Sequence, residues 1–148
     1  SQYAGDNNWA LLLDPDGFIA EGTGDNFFMV KDNVIITPEP RNILRGISRA
    51  YIFELAKKLK LSCIEKNIEP YDVVTADEAF MTGTPFCILP VSSFNFNPIG
   101  RQPMGKITQQ LLSLWSSEVG VDIAAQIKKW DAQGGGQNTS GVSPYAFK

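Results

Sequence analysis

Three short segments carry the residues best suited to holding a small ligand. The first is Glu21-Gly22-Thr23-Gly24-Asp25-Asn26. It places an acid at the end of an apolar run, followed by glycines that let a ligand or a backbone approach closely. The same composition also makes an ordinary surface turn. The second is Gly46-Ile47-Ser48-Arg49, a glycine leading into an amphipathic stretch. The first N–H groups of a helix have no intrahelical partner and lie at the positive end of its dipole, which makes an anion site. Ser48 adds a hydroxyl donor, although every helix has such an end. The third is Gly83-Thr84-Pro85, where a threonine at a strand end can donate to a phosphate oxygen or close a turn.

The chain has no histidine, which removes Ser-His-Asp and Cys-His catalysis and His-ligated zinc. Any chemistry must use carboxylates, lysines, hydroxyls, backbone amides or a borrowed cofactor.

The surrounding pattern says which elements must position these segments. Residues 9–13 form a short apolar run closed by Asp14-Pro15-Asp16-Gly17, which is turn chemistry. Residues 18–21 follow as a second strand, then the glycine-rich bend, then a hairpin of residues 27–30 and 34–37 turned at Asp32-Asn33. Ile47, Tyr51, Leu55 and Leu59 recur every four residues, with Ile52 and Ala56 beside them, and mark a helix starting at Gly46. Lys57, Lys58 and Lys60 suit its C-terminal end. Strands are expected at 62–65, 78–82 and 87–91, and a helical turn at 71–75. Ile107, Leu111, Leu112 and Trp115 mark a second long helix, and residues 122–130 a third. Early strands, late helices and a mixed middle predict α+β architecture with a mixed sheet.

The bulk numbers agree with one folded unit. The chain has 148 residues, 43% apolar and 20% charged. A formal net charge of −3 argues against nucleic acid as a partner, since phosphate backbones call for clustered Lys and Arg. No apolar run approaches the roughly 20 residues of a membrane-spanning helix, and no signal peptide is visible, so a cytoplasmic location is expected. Cys63 and Cys87 read as buried thiols rather than a disulfide. Asn138-Thr139-Ser140 matches a glycosylation acceptor without a secretion signal to support it.

Taken together, Glu-Gly-x-Gly-Asp-Asn, then Gly-Ile-Ser-Arg, then Ala-Asp-Glu-x-Phe-x-Thr-Gly-Thr resembles the fold-type IV pyridoxal-phosphate enzymes. These include branched-chain and D-amino acid aminotransferases and aminodeoxychorismate lyases. The resemblance runs from about Trp9 to about Leu114 and is specific to the family rather than to one member. It implies a partly barrel-like sheet with flanking helices, as in the large domain of those enzymes. Residues 1–132 would be that cofactor-binding C-terminal domain and 133–148 a flexible, glycine-rich tail. By resemblance, Glu21 pairs with the pyridine nitrogen of pyridoxal 5'-phosphate, Leu44 packs on its ring, Gly46, Ile47 and Ser48 hold its phosphate, and Gly83 and Thr84 add a second phosphate contact. Asn26 is expected to serve only the turn.

Two features depart from the family pattern. The lysine that carries the cofactor lies upstream of the acid in the family, and none of residues 1–20 is Lys. Lys31, Lys57, Lys58, Lys60, Lys66, Lys128 and Lys129 do not match its position, so no catalytic residue is assigned. The second departure is Pro85-Phe86 in the substrate pocket, where relatives carry small residues. Pro has no N–H to offer a substrate carboxylate, and Phe fills space. The resemblance therefore implies an aminotransferase acting on an amino acid and a 2-oxo acid, represented by a part that binds cofactor weakly or not at all on its own. A lyase of the same fold and a non-catalytic binding domain are the alternatives. Surface uncovered by a missing partner domain, and the family's dimeric habit, predict a homo-oligomer.

Overall fold

The computed structural model describes residues 8–83, 87–101 and 104–119. The expected third helix at 122–130, the tail, and the acceptor at Asn138 lie outside them.

Strands β1 (Leu11–Leu13), β2 (Ile19–Gly22), β3 (Asp25–Lys31) and β4 (Val34–Thr37) come first. Helix α1 (Ile47–Lys58), β5 (Cys63–Glu65), α2 (Pro70–Val74), β6 (Glu78–Gly83) and β7 (Cys87–Pro90) follow. A small hairpin, β8 (Ser93–Phe94) and β9 (Asn97–Pro98), precedes α3 (Lys106–Val119). The architecture is α+β. Seven strands form one sheet, antiparallel except for the β4–β5 pair, and β8 and β9 form a second. The mixed sheet is as expected. The β8–β9 hairpin is not, because strands of two residues leave no periodicity to read. Its turn at Asn95 and Phe96 takes φ of 48° and 66°, values common for Asn but rare for a bulky residue such as Phe96.

β3 is the centre. It pairs with β2 near its start, with β4 near its end, and with β6 along five residues of its other side. Both its faces are covered, which is why Asn-Phe-Phe-Met-Val reads as a nearly continuous apolar run rather than an alternation. Phe28 and Val30 point to a core built with α1 and α3, containing Ile52, Leu55, Phe80 and Leu111. Phe27 and Met29 point the other way, to Ile68, Val73, Ala79 and Met81. Phe28 and Phe80, cross-strand partners, stack with ring centroids 5.0 Å apart.

The β3–β4 hairpin turns at Asp32 and Asn33, with φ of 50° and 63°, the geometry of a two-residue turn matched to strand twist. In α1 the stripe is narrower than expected. Ile52, Leu55 and Ala56 are buried, but Ile47 is 91% exposed because the first turn projects past the sheet. Lys60 lies beyond the helix in a left-handed conformation, with φ of 58°.

α3 is held at its start by one carboxylate. Glu78 accepts hydrogen bonds from the Ile107 N–H (3.1 Å) and the Thr108 N–H (2.8 Å). Gly105 has to be glycine for this, since a Cβ there would lie 2.0 Å from the Glu78 side chain. Further along, α1 and α3 meet through Tyr51, which stands edge-on to Trp115 at 4.7 Å and donates to the Glu118 carboxylate. Lys58 pairs with the same carboxylate and, with the Tyr51 hydroxyl, holds it below its ordinary pKa.

Among the described residues there is no disulfide. No helix there is long and apolar enough to cross a membrane.

Two outcomes follow for stability. Glu78→Ala should cost about 1–2 kcal/mol, the usual scale of a lost helix N-cap, read as a lower urea midpoint. Stability should also fall at alkaline pH. Burial pushes the Cys63 thiol from 9.0 up to about 12, and the bond to Glu118 pushes the Tyr51 hydroxyl from 10.0 to about 12. The unfolded chain loses these protons first, so folding weakens as pH rises from about 9 through about 12. Urea midpoints measured across that range should decline, and Cys63→Ala should flatten the decline.

Candidate functional site

At one end of the sheet, on the face covered by α1 and α3, the apolar core gives way to a polar row. Glu21 on β2 pairs with Asn26 on β3, and Asn26 pairs with Thr82 on β6. Direct cross-strand partners share a face, so the three side chains stand side by side. Ile88 on β7 ends the row and belongs to the core. The row exists because β2 and β3 are joined by a turn of only two residues, Thr23 and Gly24, with Gly24 at φ 101°. Thus Asp25 and Asn26, which the sequence places in the bend, are the first residues of β3.

A loop crosses over this row on its way into α1. The Leu44 N–H donates to Glu21 Oε2 at 3.0 Å. Asn26 Nδ2 donates to the Leu44 carbonyl at 2.8 Å and, more weakly, to Glu21 Oε2 at 3.4 Å. Asn26 Oδ1 accepts from the Gly46 N–H at 3.2 Å. Here Gly46 is needed for space rather than for φ, which is −68°. A Cβ at Gly46 would lie 2.8 Å from Asn26 Oδ1. The loop leaves Leu44 80% exposed above the row.

The start of α1 is a donor cluster. No side chain caps it, and Gly46 is its N-cap. Arg49, in the first turn, is buried and fixes this end of the helix. Its Nη2 donates to the Pro38 carbonyl and to Glu65 Oε1, both at 3.2 Å, and its guanidinium lies 5.3 Å from the Phe53 ring centre. The N-terminal half of α1 is thereby tied to the ends of β4 and β5.

These features offer a carboxylate, anion-suited donors and an unpaired hydroxyl within one corner. An acid is present, and the bonds from Leu44 and Asn26 both go to Glu21 Oε2, leaving Oε1 available. Uncapped N–H groups and the Ser48 hydroxyl are present for an anion. Thr82 Oγ1, in the same row, is buried without a hydrogen-bond partner. A buried hydroxyl of that kind is costly to leave unpaired.

The structure therefore gathers Glu21, Leu44, Gly46, Ile47 and Ser48 at one end of the sheet. Gly83 ends β6 next to the row, one residue past Thr82. Thr84, Pro85 and Phe86 lie outside the described residues. Sequence reasoning misses Asn26 and Thr82. The motif puts Asn26 in a turn, yet it is 5% exposed and bonded to three groups. Its one signal in the sequence is its place in that motif. Lys31 is remote from the row, bonded to the Thr75 carbonyl and 3.8 Å from Asp77. A separate apolar groove of about 420 Å³ opens on the opposite face, between edge strands β1 and β7, lined by Trp9, Leu11, Phe27 and Leu89 among others. It contains none of the candidate residues.

Comparison with known proteins agrees with this arrangement. The family model for amino-transferase class IV matches residues 2–94. A branched-chain-amino-acid aminotransferase of Pseudomonas aeruginosa is 42% identical over 102 residues, covering 69% of this chain and 33% of that protein. One from Escherichia coli strain K12 is 38% identical over 102 residues, covering 68% and 33%. Among solved structures, a T.th. branched-chain amino acid aminotransferase with pyridoxamine 5'-phosphate superposes with a TM-score of 0.71 at 37% identity, over 73% of this chain and 36% of that one. The Escherichia coli enzyme gives 0.72 at 35% identity, over 74% and 36%. The chain belongs to amino-transferase class IV, the family its motifs resemble. It spans about a third of the length of the curated relatives it matches.

Gly46→Ala tests the close approach directly. It should displace the Asn26 amide, lose the bond to the residue 46 N–H, and cost about 1–3 kcal/mol in urea unfolding.

Proposed function

We propose that this chain is the cofactor-binding portion of a pyridoxal-phosphate-dependent aminotransferase of the branched-chain type. The whole protein would move an amino group between an amino acid and a 2-oxo acid. The observation that carries the reading is the hydrogen-bonded link from Glu21 through Leu44 to the uncapped start of α1. It supports the reading because a carboxylate and an uncapped helix start, the kind of group that suits an anion, stand at the same end of one sheet. The names of the relatives point the same way.

In this reading Glu21 holds a proton on the pyridine nitrogen. Leu44 packs on the ring, and its 80% exposure supports a role in covering a ligand. The amides of Gly46 and Ile47 and the Ser48 hydroxyl take the phosphate, with Gly83 and Thr84 as a second contact. When bound, the cofactor supplies an electron-withdrawing ring that stabilises negative charge on the substrate carbon, and the Glu21 carboxylate strengthens that pull by keeping the ring nitrogen protonated. Residues 1–132 form the cofactor domain and 133–148 a tail. No lysine of this chain matches the position that carries the cofactor in the family. Binding by this chain alone is accordingly weak and turnover poor. Pro85 and Phe86 favour a substrate pocket different from that of relatives with small residues there, because Pro withholds an N–H and Phe takes up room. The working form is a soluble, cytoplasmic homo-oligomer.

Titration of the purified chain with pyridoxal phosphate, followed by absorbance, tests this. Saturable binding is expected. Glu21→Ala and Ser48→Ala should each weaken it on the order of tenfold or more, the scale of a hydrogen bond to a charged group. Borohydride treatment should label no lysine. Absence of saturable binding, or a specifically labelled lysine, would count against the reading.

A further inference from the structure

We infer that Asn26 is a positioning residue that holds the Glu21 carboxylate and the start of α1 in one fixed arrangement. The inference rests on the proposed cofactor reading, in which those two groups hold opposite ends of one ligand.

The geometry is that of a bridge. Asn26 occupies the middle of the cross-strand row, with Glu21 on one side and Thr82 on the other. Its amide uses both ends. Nδ2 donates to the Leu44 carbonyl and to Glu21 Oε2, while Oδ1 accepts from the Gly46 N–H. Glu21 Oε2 also accepts from the Leu44 N–H. These bonds link a strand residue, an acid on the next strand and both ends of the segment from Leu44 to Gly46. The link makes the height of the α1 start above the sheet depend on the same side chain that orients the acid. Asn26 is 5% exposed, so its amide is shielded and each lost bond is felt. The contact is tight as well, since even a Cβ on Gly46 would come within 2.8 Å of Oδ1.

An asparagine is the residue this task requires. It must donate toward Glu21 and the Leu44 carbonyl while accepting from Gly46. Aspartate matches its shape but can only accept when ionised, and it would set a second negative charge beside Glu21. The coupling therefore runs through the Glu21 carboxylate in a way that a purely structural asparagine would not show.

The test is a double-mutant cycle on the full chain, using Asn26→Asp and Glu21→Gln singly and together. Two readouts are taken: the dissociation constant for pyridoxal phosphate and the urea unfolding midpoint. Asn26→Asp in the parent should weaken pyridoxal phosphate about tenfold or more, the scale of a lost hydrogen bond plus like-charge repulsion. In the Glu21→Gln background its further effect should be several-fold smaller, because the glutamine amide introduced at position 21 can donate to the new carboxylate. The urea midpoints should show the same non-additivity. Equal losses in both backgrounds would overturn the inference, since a merely structural Asn26 would not sense the charge at position 21. Should Asn26→Asp fail to fold, Asn26→Ser replaces it: the bond it removes is charge-assisted only where Glu21 is present, so a smaller non-additivity of the same sign is expected, and equal losses in both backgrounds again overturn the inference. If the parent binds no pyridoxal phosphate but the urea cycle is non-additive, the cofactor reading falls and the positioning role of Asn26 stands.

Discussion

Strand β3 must satisfy its backbone toward three neighbours and bury both of its faces, and the other elements take their places from that demand. β2 and β4 share one side of it, each paired with a different end, and β6 takes the other side along most of its length. An unpaired backbone group in so buried a strand would be costly, so the neighbours' registers are set tightly. Phe28 and Val30 then call for helices on one face, and Phe27 and Met29 for α2 and its flanking loops on the other. The site belongs to this same strand. Where β3 begins, its apolar residues end, and the first side chain on the helix face is Asn26.

Polar chemistry at that position is a consequence of geometry as much as of residue type. The end of the sheet is where a loop can pass over the strands and where the first turn of α1 projects beyond its core contacts. Leu44 and Ile47, 80% and 91% exposed, show how far this corner stands clear of the body. Buried anchors nevertheless hold it. Arg49 ties the first turn of α1 to the ends of β4 and β5, and Asn26 ties the loop to the row. A ligand taken up at the proposed site would meet groups ordered by the rigid sheet, with donors left open to it.

The opposite face carries different physics. β1 and β7, two of the three strands that end this branched sheet, both border an apolar groove there, so the sheet curls enough to bring those two edges to one hollow. That shape agrees with the partly barrel-like sheet expected of the family and with the close superposition on aminotransferases of known structure. The groove and the polar row lie on separate faces of β3, so the apolar hollow and the chemically equipped corner are different places.

Much of this was legible in the residues. The Asp32-Asn33 turn, the periodicity of α3, the alternation of strands with α1, and the spacing of Glu21, Gly46-Ile47-Ser48 and Gly83-Thr84 identified the fold class and the family. They also marked the residues proposed above for a cofactor site, because turn chemistry, apolar period and motif order are local properties. What the local pattern could not carry was which residues meet across the sheet. Asn26 reads as a turn residue because Asn favours turns, and only its pairing with Glu21 and Thr82 makes it a bridge. Ile47 reads as a core residue because it keeps the helical period, and only the overhang of the first turn leaves it in solvent. The β8–β9 hairpin is too short to leave a period at all. Sequence determined which groups are available and roughly where each element runs. Tertiary structure decided which of those groups stand within hydrogen-bonding reach, because cross-strand register and the angle of a loop over a sheet are set by long-range packing that no short window of residues contains.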